Sequence, residues 1–154
     1  MPFDPMVKQL AKESVLCWLA TSSASGRPSV SPKEIFTTFN DDSIIIANIA
    51  SPNSARNIRE HGQACVSFVN VFTQKGFQIR GGASYLDRTH PDYAAVEPIL
   101  VAMTGGAFPF KSAFRVMADE VDEIIAPRYR LYPETTEASQ IESAMQRYGV
   151  QPRD

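Results

Sequence analysis

The segment from Ser51 to Arg59 carries the residue types that bind an anion. Ser51 can cap a helix and Pro52 suits its first position, so free backbone N–H groups and a partial positive charge are expected there. Ser54 adds a hydroxyl, and Arg56 and Arg59 can add charge-assisted hydrogen bonds. The segment therefore predicts a phosphate-type site. The alternative interpretation is a solvated surface helix whose arginines pair with nearby carboxylates.

A second group of candidate residues is Ser31-Pro32-Lys33-Glu34, which lies within a strand pattern. Because side chains alternate across a strand, Lys33 and Glu34 should point to opposite faces. One of the two charges then faces the interior or an interface, where it needs a partner. Pro32 cannot donate to a sheet ladder and predicts an edge or a bulge. The alternative interpretation is an edge strand with its charges on a wet face.

A third group runs from Gln78 to Gly82. Gln78 and Arg80 should share one strand face, whereas Gly81 and Gly82 permit a close approach of another backbone. Such a surface suits a flat ligand or a second subunit. A β-bulge explains the same residues without a ligand.

Composition excludes several classes of function. A net charge of -2 argues against a nucleic-acid footprint. No apolar run approaches the roughly 20 residues that cross a bilayer, and no secretory signal is recognisable, so we expect a cytoplasmic protein without membrane contact. Cys17 and Cys65 lie in apolar segments and are expected to be reduced thiols. His61 and His90 lack metal-ligand spacing, so no metal site is expected.

The elements that must position these residues favour a mainly β fold with flanking helices. We expect the 154 residues to form one domain around a six-stranded antiparallel barrel. Ile44, Ile45 and Ile46 indicate a strand buried on both faces. The aromatic set of Phe108, Phe110 and Phe114 is interpreted as core or dimer contact. The predicted helices cover residues 5–14, 52–62, 91–103 (with a kink or break near Pro98) and 134–148. The predicted strands cover residues 15–20, 29–39, 43–48, 64–71, 77–86 and 114–125.

Taken in order, these segments resemble the pyridoxamine 5'-phosphate oxidase-like FMN-binding split-barrel superfamily over about residues 10 to 125. The likeness runs through Leu19-Ala20-Thr21-Ser22, Gly26-Arg27-Pro28, Ser31-Pro32-Lys33-Glu34, Ile46-Ala47-Asn48, Ser54-Ala55-Arg56-Asn57-Ile58-Arg59, the strand from Ala64 to Val69, and Gly81-Gly82-Ala83 ahead of Tyr85-Leu86. No single piece is specific, but their order along the chain is.

The resemblance implies a homodimer with two FMN sites between its subunits. The implied phosphate-binding residues are Ser51, Ser54, Arg56 and Asn57. The implied contacts of the isoalloxazine ring are Ser31, Pro32, Lys33, Glu34, Asn48 and Ile49, with Gln78 from either subunit. Lys33 is expected to stabilise negative charge as the ring is reduced. Asn53 stands where the family often has a basic residue, so phosphate binding should depend more on Arg56 and the helix amides.

The resemblance implies an FMN-dependent oxidoreductase that acts on a small molecule or uses a nicotinamide donor. The residues that would hold pyridoxamine phosphate in the true oxidase have no clear match, so another substrate is expected. The catalytic residues are unknown at this stage. The alternatives are a non-catalytic flavin store or sensor, a split barrel that binds haem or a deazaflavin, and a dimeric barrel without a cofactor.

Overall fold

A computed structural model describes residues 2–154, which contain five helices and eight strands. The helices are α1 (Pro5–Glu13), α2 (Pro52–His61), α3 (Tyr93–Thr104), α4 (Pro127–Leu131) and α5 (Glu137–Tyr148). The strands are β1 (Cys17–Ser22), β2 (Pro28–Lys33), β3 (Phe36–Phe39), β4 (Ser43–Ala47), β5 (Gln63–Asn70), β6 (Lys75–Leu86), β7 (Ala113–Met117) and β8 (Glu120–Ile125).

All the strand pairs are antiparallel and form one open, curled sheet in the order β2-β1-β5-β6-β7-β4-β3, with β8 also paired to β6. The prediction of a mainly β split barrel with flanking helices is confirmed. The sheet stays open because β2 lies at one edge and β3 at the other. β2 is an edge strand, which agrees with the prediction of an edge or a bulge from Pro32.

The structure has eight strands where the sequence predicts six, because two expected strands each divide in two. The predicted strand 29–39 bends at Glu34 and Ile35, so β2 pairs with β1 while β3 pairs with β4. The predicted strand 114–125 breaks at Ala118 and Asp119, so β7 pairs with β4 whereas β8 pairs with β6. The sheet has two halves joined by β6: one contains β1, β2, β5 and β8, and the other contains β3, β4 and β7. In both places the chain passes from one half to the other.

Two hydrophobic clusters fill the two sides of the sheet. Ile44 and Ile46 belong to the larger cluster, and Ile45 belongs to the smaller one beneath α3. All three are fully buried, which confirms the predicted burial of β4 on both faces. Leu100 on α3 packs into the smaller cluster, and the helix continues through Pro98.

The remaining differences from the sequence prediction concern the ends of the chain. The short helix α4 was not predicted, and α5 begins at Glu137 because Thr136 and Ser139 form a reciprocal capping box.

Cys17 and Cys65 are free thiols, as predicted. Among residues 2–154, none of the helices has the length and apolar character needed to cross a membrane.

The crossing from β7 to β8 depends on Gly81. A Cβ at Gly81 would lie 1.8 Å from the carbonyl oxygen of Met117 and 2.9 Å from its carbonyl carbon. The close backbone approach that the sequence indicates is therefore made at Gly81 by the chain's own β7. Here β6 changes partner, from β8 along Lys75 to Arg80 to β7 along Ala83 to Leu86.

We predict that Gly81→Ala destabilises the fold by about 1–3 kcal/mol, because backbone rather than a flexible side chain would have to move. Gly82→Ala is the matched control, since a Cβ there meets its nearest atom, the Gly62 carbonyl oxygen, at 3.9 Å. Urea unfolding of both variants measures the difference. Equal midpoints for the two would contradict the crowding at Gly81.

Candidate functional site

Lys33 is the end residue of β2 and is a nearly buried cation. Its side chain is 9% exposed, and its ammonium donates to Ser31 Oγ at 2.8 Å and to Ser51 Oγ at 2.6 Å. Within residues 2–154, no ion pair includes Lys33. Burial lowers the pKa of Lys33, because a charged ammonium is disfavoured away from water. The arrangement leaves a positive charge for which residues 2–154 supply no ion-pair partner.

The N-terminus of α2 lies against the same ammonium. Ser51 is the N-cap residue, but its hydroxyl accepts from Lys33 and makes no side-chain capping bond. Pro52 has no N–H, and the first helical bond runs from Ala55 N to the Ser51 carbonyl oxygen. The N–H groups at Asn53 and Ser54 are left for another acceptor. The helix end and Lys33 thus present positive charge to one place.

The loop between β4 and α2 is fixed by Asn48. Its side-chain oxygen accepts from the Ser51 N–H at 3.2 Å, and its amide donates to Ser112 Oγ at 2.9 Å. Ala50, between them, adopts a left-handed φ of 53°, which is unfavourable for a residue with a Cβ. Asn48 was predicted as a cofactor contact. Both polar ends of its side chain are engaged within the chain, so it positions Ser51.

Two adjoining cavities form one groove around Lys33. The first, of about 420 Å³, is bounded by residues 29–33 and 49–54. The second, of about 180 Å³, is lined by Pro32, Lys33, Glu34, Ile35, Ala47, Ile49 and Phe108. Pro32, Lys33 and Ile49 line both. The groove therefore has a polar end at α2 and an apolar end towards Phe108.

Most of the sequence-predicted residues lie at this groove. Ser54 is 4% exposed and lines the polar end, and Ile49 lies where the two cavities meet. Lys33 faces the interior while Glu34 is exposed, so the predicted opposite orientation is observed. Arg56 is exposed and donates to Asn53 Oδ1 at 3.1 Å, which places its guanidinium beside the first turn of α2.

Three predicted or candidate residues are directed elsewhere. Asn57 is buried and donates to Thr21 Oγ1 at 3.0 Å, so its side chain fastens α2 to β1. Arg59 lies 3.8 Å over the ring of Tyr85. Gln78 lies on β6 opposite Ser67, on the far face of the sheet, and does not line the groove of its own chain.

Sequence reasoning missed three residues that line the apolar end of the groove, Ile35, Ala47 and Phe108. Phe114 is fully buried and Phe110 packs against the smaller cluster, as interpreted, but Phe108 is 51% exposed at the groove. The available signal was the flanking Gly105-Gly106 and Pro109, which favour a loop, although Phe108 was interpreted as core or dimer contact. Ser112 was also missed, because nothing local to it indicates a bond to Asn48.

The family model described as pyridoxamine 5'-phosphate oxidase matches residues 3–126. The chain belongs to this family. The match contains the whole groove and ends before α4 and α5. No curated protein matches the chain. Within the part that the structure describes, no group of three His, Cys, Asp or Glu side chains is placed to hold a metal ion.

Solved structures share the fold of this chain over 77–81% of its residues. HupZ from Group A Streptococcus superposes with a TM-score of 0.67 at 19% identity, over 77% of this chain and 91% of its own. The haem storage protein HutZ from Vibrio cholerae gives 0.64 at 20% identity, over 81% and 95%. An FMN-binding protein from Syntrophomonas wolfei gives 0.60 at 16% identity, over 79% and 90%. The TM-scores establish a shared fold.

The uncompensated charge of Lys33 predicts a pH dependence of stability. Because the folded-state pKa is lowered, the unfolded chain binds the Lys33 proton more tightly. The contribution of Lys33 to folding stability should therefore rise as the pH increases through the lowered pKa towards the ordinary lysine value. Lys33→Met should lack this rise. The difference in unfolding free energy between wild type and Lys33→Met, measured in urea from about pH 7 to about pH 10, tests this. Parallel profiles would contradict it.

Proposed function

We propose that the groove binds FMN, with the phosphate at the N-terminus of α2 and the isoalloxazine ring towards Ile35 and Ile49. The observation that carries this proposal is Lys33, a nearly buried ammonium beside a free helix end with no carboxylate partner among residues 2–154. A phosphate would supply the missing negative charge, and its oxygens would accept hydrogen bonds from the free N–H groups of α2.

The residues present fit a flavin phosphate. Ser31, Ser51 and Ser54 offer hydroxyls around Lys33, and Arg56 lies beside the first helical turn with an exposed guanidinium. In this arrangement Lys33 holds the phosphate, which differs from the ring-tuning role expected from its sequence position. Asn48 and Asn57 hold the loop and the helix in place. When bound, the flavin supplies the electron-transfer chemistry, while these residues bind and orient it.

The groove favours a flavin over haem. A haem iron takes an axial ligand such as His, Cys, Met or Tyr. None of the residues that line either cavity is of these types. Although this chain shares its fold with the haem storage protein HutZ, none of the residues that line this groove could serve as an axial ligand to haem iron. A deazaflavin with a phosphate would suit the same polar end, and its absorbance spectrum distinguishes it from FMN.

We further infer that FMN serves an oxidoreductase reaction with a small molecule or a nicotinamide donor. The support is the apolar end of the groove, which is open to solvent at the half-exposed Phe108. A non-catalytic store would retain FMN but show the same reoxidation rate with and without candidate substrates. Reduced protein mixed with such substrates under anaerobic conditions separates the two.

The homodimer is also a proposal, and it rests on the outer face of the sheet. Trp18 is 47% exposed and Val30 is 61% exposed, and they lie on the same face as Gln78. Exposed apolar patches of this kind mark interaction surfaces. A second copy on this face would cover Trp18 and Val30 and bring its own Gln78 near the groove.

We predict that Lys33→Met and Arg56→Ala each weaken FMN binding by roughly 10- to 100-fold, the scale of a charge-assisted hydrogen bond. Riboflavin, which lacks the phosphate, should bind both variants and wild type equally. Lys12→Met on α1 and Arg147→Ala on α5 are the matched controls, since both residues are exposed and outside the groove. Equilibrium dialysis against each flavin measures the effect. Equal loss of riboflavin binding would place these residues at the ring instead.

We predict that Trp18→Glu converts a dimer into a monomer, because a carboxylate in a buried apolar interface pays a large desolvation cost. Met6→Glu is the control, as Met6 is 51% exposed on α1. Light scattering after size exclusion measures the mass. A wild-type chain that runs as a monomer at all concentrations would contradict the proposed dimer.

A further inference from the structure

The loop that carries Phe108 has a defined conformation although its surface is exposed. It begins at Thr104, whose hydroxyl accepts from the Gly106 N–H at 3.1 Å, while the Ala107 N–H donates to the Thr104 carbonyl oxygen at 3.0 Å. Gly105 and Gly106 adopt left-handed φ values of 58° and 81°, which glycine tolerates without strain. These contacts hold Phe108 at one place on the surface.

The far end of the loop is anchored in the interior. Phe110 packs against the smaller hydrophobic cluster, and Ser112 is 4% exposed and accepts from the Asn48 amide. Asn48 also accepts from Ser51 N–H, so the loop and the N-terminus of α2 share one hydrogen-bonded support. The position of Phe108 is therefore linked to the polar end of the groove.

Phe108 is more exposed than the other two aromatic residues of this segment, Phe110 and Phe114. Its side chain is 51% exposed, whereas Phe114 is fully buried. Among residues 2–154, the aromatic pairs do not include Phe108. Phe108 lines the apolar end of the groove together with Ile35 and Ile49. An aromatic ring held at the mouth of an apolar cavity is suited to pack against a second flat ring.

We propose that Phe108 is a cofactor-contact residue that packs against the isoalloxazine ring bound by the same subunit. This inference rests on the proposed flavin function and extends it, because it assigns to the ring end of the groove a residue that the sequence analysis interpreted as core or dimer contact. Phe108 then sets affinity for the ring, while Lys33 and the α2 N-terminus set affinity for the phosphate.

This division of roles gives Phe108 a distinct signature. Removing the aromatic ring with Phe108→Ala should weaken FMN and riboflavin binding by the same factor of roughly 3- to 10-fold, the scale of an aromatic stacking contact. Loss at Lys33 should affect FMN alone. Leu131→Ala on α4 is the control, since Leu131 is 72% exposed and outside the groove.

A second variant tests contact directly. Phe108→Trp should quench the fluorescence of bound FMN several-fold, because an indole in contact with an excited flavin transfers an electron to it. Leu131→Trp should leave the fluorescence at the wild-type value. Both measurements use the full chain loaded with FMN, and the bound fraction is fixed by absorbance before fluorescence is read.

The outcomes separate this inference from the proposed function. If wild type retains FMN but Phe108→Ala binds both flavins as wild type does and Phe108→Trp shows no quenching, the role of Phe108 is overturned while the flavin site stands. If Phe108→Ala weakens FMN but not riboflavin, Phe108 acts on the phosphate end and the inference is also overturned. If wild type retains no FMN, both proposals fail.

Discussion

The strand β6 is the constraint on which the groove depends. It pairs with β5 along eight residue pairs, and on its other side it exchanges β8 for β7 near Gly81. This exchange lets one sheet carry β2 at one edge and β3 at the other, so the chain must cross between the two halves after Lys33. The crossing leaves the end of β2 facing the start of α2, where the groove lies. A Cβ at Gly81 would crowd the backbone of Met117 and disturb this exchange of strands, and the position of the groove depends on that exchange.

The charge at Lys33 is a cost that the fold retains. Burying an ammonium without a carboxylate disfavours the folded state, and two serine hydroxyls offset the lost hydration only in part. An apolar residue of similar length at this position of β2 would fill the same space with a smaller desolvation cost on folding. Such a residue is characteristic of a binding site, because the penalty disappears when an anionic ligand arrives. Ala50 adds a second unfavourable feature beside the groove, a left-handed φ of 53° in a residue with a Cβ.

Most of the local structure of this fold could be predicted from the sequence. Strand and helix types, the edge position of Pro32 and the burial of β4 on both faces follow from residue preference and alternation, and the structure shows each of them. The divisions at Glu34 and Ala118 were missed, because the strand pairing partners that change there are set by tertiary structure. The polar end of the groove was anticipated from α2. Its link to Lys33 was not, because Ser51 and Lys33 meet only through tertiary packing.

The two ends of the groove come from different parts of the chain, and this has a consequence for how the protein can change. The polar end is built by β2 and α2, whose positions are fixed by the sheet and by Asn57. The apolar end is bordered by a surface loop that contacts the interior through Phe110 and Ser112. Under the proposed function, substitutions in the loop between Gly105 and Pro109 would alter which ring or substrate fits while the anion contacts stay intact. Anchoring and reactivity would then be separable within one groove, which is a physical basis for a single fold to hold different cofactors and substrates.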